Sequence, residues 1–108
     1  MKKYILILCL ILSNISVFAQ FEEVKKAAEG GDISAQMYMG QIYEEGRDSQ
    51  GIRKDLKVAI EWYFKAATKG SPEAQFKTAF LMVDYYGIND DTERVIISLL
   101  KESADNGF

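Results

Sequence analysis

Residues 27–36 read Ala27-Ala28-Glu29-Gly30-Gly31-Asp32-Ile33-Ser34-Ala35-Gln36, and residues 66–75 read Ala66-Ala67-Thr68-Lys69-Gly70-Ser71-Pro72-Glu73-Ala74-Gln75. Both leading alanines, the second glycine, the later alanine and the glutamine coincide at a constant offset of 39. The pattern returns 37 residues further on as Ser103-Ala104-Asp105-Asn106-Gly107, with Ala104 and Gly107 in place. A period in this range, with helical patterning between the marks, is the signature of a solenoid built from helix pairs.

Local chemistry supplies helix ends where the period needs them. Ser71 is a candidate N-cap for a helix whose first residue is Pro72, a position where a missing N–H costs nothing, and Glu73 suits the positive end of the helix dipole. Asp32 and Asp55 are equivalent caps, and Asp90 with Glu93 offers a capping box. Gly31, Gly70 and Gly107 stand where a helix stops in a left-handed conformation. These signals predict helices over 21–29, 32–45, 55–69, 71–86 and 91–105, with no convincing strand.

The residues Ala35-x3-Met39-Gly40-x-Ile42-Tyr43-x2-Gly46, followed by Gly51-Ile52-x2-Asp55-x3-Ala59-x2-Trp62-Tyr63-x2-Ala66-Ala67-x2-Gly70, resemble the Sel1-like (Sel-one-like) repeat family, a relative of the tetratricopeptide repeat. The resemblance covers residues 26–76. It departs from the family pattern at the loop Gly46–Gly51 (GRDSQG), about three residues longer than the usual turn, and in the second unit, where Leu99-Leu100 replaces Trp62-Tyr63. It implies an all-α fold, a short α-solenoid of antiparallel helix pairs, whose units stack into curved arrays that bind other proteins. The expected organisation is a secretory signal peptide at 1–19, an N-terminal half-repeat helix at 20–31, a first repeat at 32–70 and a second, degenerate repeat at 71–108.

The aromatic run Trp62-Tyr63-Phe64 cannot face one surface, because successive helical residues turn by about 100°. Projected on a helix, residues 55–69 carry an apolar arc of roughly 240°, wide enough to touch more than one neighbour, as an interior solenoid helix must. Tyr63 sits mid-arc between Ala59 and Ala67 and is expected in the core. Trp62 and Phe64 lie at opposite edges; the family resemblance implies that Trp62 joins helix pairs, and the burial of Phe64 is left open.

In helix 32–45 the expected core positions are Ala35, Met39, Ile42 and Tyr43, with Gly40 admitting a neighbouring backbone. The opposite arc holds Ser34, Met37, Gln41, Glu44 and Glu45. By the family resemblance this arc of each first helix lines the concave surface, and the offset of 39 gives the second stripe as Glu73, Phe76, Phe80, Val83 and Asp84. Two readings follow. In one the Phe76, Phe80 and Val83 ridge is core, covered by the C-terminal helix or the long loop. In the other Met37, Phe76 and Phe80 floor a groove rimmed by Gln41, Glu44, Glu45 and Asp84, which holds an amphipathic or basic segment of a partner protein.

The N-terminus begins with the basic Met1-Lys2-Lys3, continues with nine apolar residues from Tyr4 to Leu12, and places small residues at Val17 and Ala19. This reads as an export signal cleaved between Ala19 and Gln20, and the apolar run is shorter than the roughly 18 to 20 residues of a permanent span. The destination is periplasmic or secreted. Cleavage leaves 89 of the 108 residues, with neither cysteine nor histidine among them. Cofactors are therefore not expected, nor disulfides, Cys/His zinc sites or histidine-assisted nucleophiles. Removing Lys2 and Lys3 from 13 basic residues leaves 11 against 16 acidic ones, a balance without the footprint of a nucleic-acid binder.

The leading reading is a non-enzymatic interaction module, an adaptor or scaffold of the cell envelope. A carboxylate-dependent hydrolase is the rival from another class. Adjacent helical residues point about 100° apart, so Glu44 and Glu45 cannot flank one bond, and Asp90-Asp91 is accounted for by capping. Asn89-Asp90-Asp91 lacks the alternating ligands and terminal glutamate of a calcium loop. A third reading is self-assembly. Residues 105–108 coincide with the start of a further unit, so two units and a half imply marginal stability, a homo-oligomer formed through the C-terminal end near Leu99 and Leu100, or a truncated longer array.

Overall fold

The computed structural model describes residues 2–108, the side chains of residues 13–16 excepted. Five helices follow one another: α1 Lys2–Glu29, α2 Ile33–Glu45, α3 Leu56–Thr68, α4 Pro72–Tyr86 and α5 Glu93–Asp105. Each packs mainly on its neighbours in the chain, which is the linear layout of an all-α solenoid. A short 3₁₀ turn, Asp48–Gln50, lies in the α2–α3 loop.

Three of the expected caps form. The Asp32 carboxylate accepts from the Ala35 N–H at 2.8 Å, Asp55 from Val58 N–H at 3.2 Å and Ser71 Oγ from Ala74 N–H at 3.2 Å. The expected capping box at Asp90 and Glu93 does not: α5 starts at Glu93, and the turn before it is organised by Asn89, whose side-chain oxygen accepts from the Asp91 and Thr92 N–H groups at 2.9 and 3.2 Å. An Asx turn has taken the orphan donors that a capping aspartate would have used. Helices α1, α3 and α5 all end on the same backbone motif, with Gly31, Gly70 and Gly107 at φ of 102°, 92° and 91°.

The long loop is a small closed hairpin. Arg47 and Ile52 exchange backbone hydrogen bonds of 2.7 and 2.9 Å around the 3₁₀ turn, and the Asp55 N–H returns to the Tyr43 carbonyl at 2.7 Å. Gly46 has a positive φ of 77°, and a β-carbon there would come within 2.9 Å of the Lys54 nitrogen, so the extra loop residues are accommodated by a position only glycine fills.

The core is centred on α3. Ala59, Ala66 and Ala67 are fully buried, so small residues let α2 approach from one side and α4 from the other. Tyr63 packs with Ala59, Ile60 and Leu81, and Ala66 and Ala67 pack with Ala74, Ala79, Ile96 and Leu99. Trp62 turns the other way, against Ala28 of α1 and Ala35 and Met39 of α2, and so joins helix pairs as the family resemblance implies. Phe64 is exposed. The largest fully buried side chains are Tyr63, Met39, Ile42, Gln75 and Thr78; burying an aliphatic or aromatic one of these contributes about 1.5–3 kcal/mol.

The helix expected over 21–29 extends back to Lys2 without a break at Ala19–Gln20. No glycine or proline falls between residues 2 and 29, so the chain has no residue that stops a helix there. The nine-residue apolar run understates the segment: α1 contains a window long and apolar enough to cross a membrane, a test that signal sequences also pass.

Candidate partner-binding surface

Between α2 and α4 lies a groove of about 510 Å³, lined from α2 by Met37, Tyr38, Gln41 and Glu45 and from the other side by Glu73 and Lys77. The repeat puts these residues there. Tyr38 and Lys77 occupy one position of the 39-residue period, and Ser34 and Glu73 another, so equivalent turns of two successive first helices face each other across the groove.

The floor is held by a bond system across three helices. Tyr63 Oη of α3 donates to Glu44 Oε2 of α2 at 3.0 Å, and Lys77 Nζ of α4 donates to Glu44 Oε1 at 3.2 Å. Burial pushes the Tyr63 phenol far above its ordinary pKa, the bond to Glu44 adds to this, and the charges of Glu44, Glu45 and Glu73 push the same way. The phenol therefore remains a donor. Lys77 is committed to Glu44, while Glu45, which accepts from Gln41 Nε2 at 3.2 Å, and the exposed Glu73 present their carboxylates to solvent. The groove is thus acidic, with an aromatic wall at Tyr38.

The eight residues predicted from sequence divide between two surfaces. Met37, Gln41 and Glu45 line the groove, and Glu44 lies beneath it as the acceptor for Tyr63 and Lys77. Phe76, Phe80, Val83 and Asp84 do not line it; they stand exposed on α4. Phe76 stacks on Phe80 with ring centroids 6.2 Å apart and meets Phe108 at 5.3 Å. A floor shared by Met37, Phe76 and Phe80 does not form, because the offset that relates Met37 to Phe76 carries the side chain one unit along the solenoid. The core reading of the ridge fails as well, since Phe80 is 61% exposed. Sequence reasoning missed Tyr38 and Lys77; their shared place in the repeat, next to Met37 and Phe76, was the available signal.

The comparisons with known proteins agree with this architecture. The family model for the Sel1 repeat matches residues 33–71. Among solved structures, the chain is similar to a Sel1 repeat protein from Oxalobacter formigenes, with 30% identity and a TM-score of 0.66 over 79% of this chain. The chain spans 23% of that protein's length. No curated protein sequence gives a match. Residues 33–71 thus carry a Sel1 repeat by sequence, and the helical array around them has the fold of a Sel1 repeat protein.

Proposed function

We propose that this chain is a non-enzymatic interaction module of the cell envelope that holds a basic, extended segment of a partner protein in the α2–α4 groove. The observation that carries this reading is the charge of the groove: Glu45 and Glu73 enter its lining from two helices, and the one lysine among the lining residues, Lys77, is already paired with Glu44. A lysine- or arginine-bearing segment would meet Glu45 and Glu73 at the rim, lay its aliphatic stem on Met37 and Tyr38, and leave the Tyr63–Glu44–Lys77 floor intact. Export fits the apolar α1, which as a signal sequence or anchor would deliver the repeat to the envelope.

The test is a peptide array of basic, neutral and acidic extended sequences probed with the full chain. Preferential retention on basic peptides, weakening as salt rises, is the expected result. Equal retention on acidic peptides would contradict it.

A further inference from the structure

The α2–α4 groove lies between first helices of successive units; a different surface follows the seam between the second helices, α3 and α5. Both belong to units that the chain itself contains, so the seam is internal to the array. Two crevices adjoin there. One, of about 370 Å³, has Met82 and Tyr86 at its wall, and the other, of about 530 Å³, has Ala67, Leu99, Arg94 and Glu102. Phe64 of α3 and Val95 of α5 line both.

Folding alone does not account for Phe64. Its counterparts in the repeat are Lys25 on α1 and Lys101 on α5, so this is an outward position that suits a charged side chain. Phe64 is nevertheless a large aromatic, 44% exposed, and Val95 across the seam is 40% exposed. Large apolar side chains left open beside adjoining crevices mark an interaction surface.

The charges on the seam indicate what covers it. Arg94 and Glu102 line the larger crevice from one helix, eight residues or about 12 Å apart, with Val95 and Leu99 between them. Among the described residues Arg94 has no hydrogen bond or ion pair. Glu102 accepts from the neutral donors Gln75 Nε2 and Ser98 Oγ, both at 3.4 Å, and is paired with no cation. An apolar strip with opposite charges at its two ends is complementary to a copy of itself turned by 180°.

We propose that the α3–α5 seam is a homodimer interface, in which two copies of this chain pair about a twofold axis. Arg94 of each copy meets Glu102 of the other, and each Phe64 ring enters the other copy's larger crevice. Both charges that the single chain leaves unpaired are neutralised, and the exposed faces of Phe64 and Val95 are covered.

Sedimentation equilibrium of the full chain over a concentration series tests this, with a monomer–dimer equilibrium expected for the parent. Arg94→Glu, Glu102→Arg and Phe64→Glu should each weaken association about tenfold or more, because each charge reversal sets two like-charge pairs across the axis and the third change puts a carboxylate into an apolar crevice. All three positions are exposed, so circular dichroism of each variant should match the parent. Mixing the Arg94→Glu chain with the Glu102→Arg chain should restore dimers, since both pairs across the axis are then of opposite sign. A parent that stays monomeric, self-association that all three variants leave unchanged, or a mixture that associates no better than its components would each overturn the proposal.

Discussion

Gly40 of α2 lies so close beneath the Tyr63 ring of α3 that a β-carbon at residue 40 would stand 2.6 Å from the Tyr63 Cδ1 and Cε1 atoms. The close crossing of α2 and α3 depends on that missing methyl group. Gly40→Ala gains about 1 kcal/mol in helix propensity, but it forces a buried ring out of its site, a cost of about 1–3 kcal/mol. We expect net destabilisation in chemical denaturation. Combining it with Tyr63→Leu should cost less than the sum of the two single changes, because the clash is then relieved.

Tyr63→Phe keeps the packing and removes one donor to Glu44. At neutral pH the expected loss is about 2 kcal/mol, the range for a hydrogen bond to a charged group. The folded phenol holds its proton above the ordinary value of 10.0, so its contribution is full below pH 10 and declines as pH rises beyond it. Stability of the parent chain should therefore fall more steeply above pH 10 than that of Tyr63→Phe, measured as melting temperature against pH.

Gln36 and Gln75 occupy one repeat position with different surroundings. Gln75 Nε2 reaches the Ala67 carbonyl, and its Oε1 accepts from Asn106 Nδ2 at 3.2 Å. Gln36 Nε2 reaches the Ala28 carbonyl, but its buried Oε1 has no partner among the described residues, because Lys69, the counterpart of Asn106, donates to the Gly31 carbonyl. Gln75→Leu should cost about 1–3 kcal/mol and Gln36→Leu less than about 1 kcal/mol, since the latter also removes an unpaired acceptor. Urea denaturation of the two variants side by side would show the difference.

Phe80→Glu places a charge on a side chain that is 61% exposed. Circular dichroism should show unchanged helicity, and the melting free energy should move by no more than about 0.5 kcal/mol. A large loss of helicity would mean that the ridge carries part of the core.

Most of the fold was legible because solenoid marks are local. Ser71-Pro72, Asp32 and the three αL glycines announce helix ends through their own backbone chemistry, and the offset of 39 aligns them. The start of α5 was misplaced because Asn89 and Asp90 both suit a turn, and only the three-dimensional path shows that Asn89 takes the free N–H groups. The site was less legible. Helix projection gives the direction of a side chain but not the unit it faces, so Met37 and Phe76 were assigned to one groove although they stand at successive junctions.

The most direct measurement of the central claim compares two variants of the full chain against the basic peptide selected by the array. Reversing the groove charge with Glu45→Lys and Glu73→Lys should lower affinity by at least about tenfold, the scale of losing one or two close charge pairs, while Phe80→Glu should leave it unchanged. If Phe80→Glu abolishes binding and the groove variant binds as the parent does, the partner sits on the α4 ridge and the groove account is wrong.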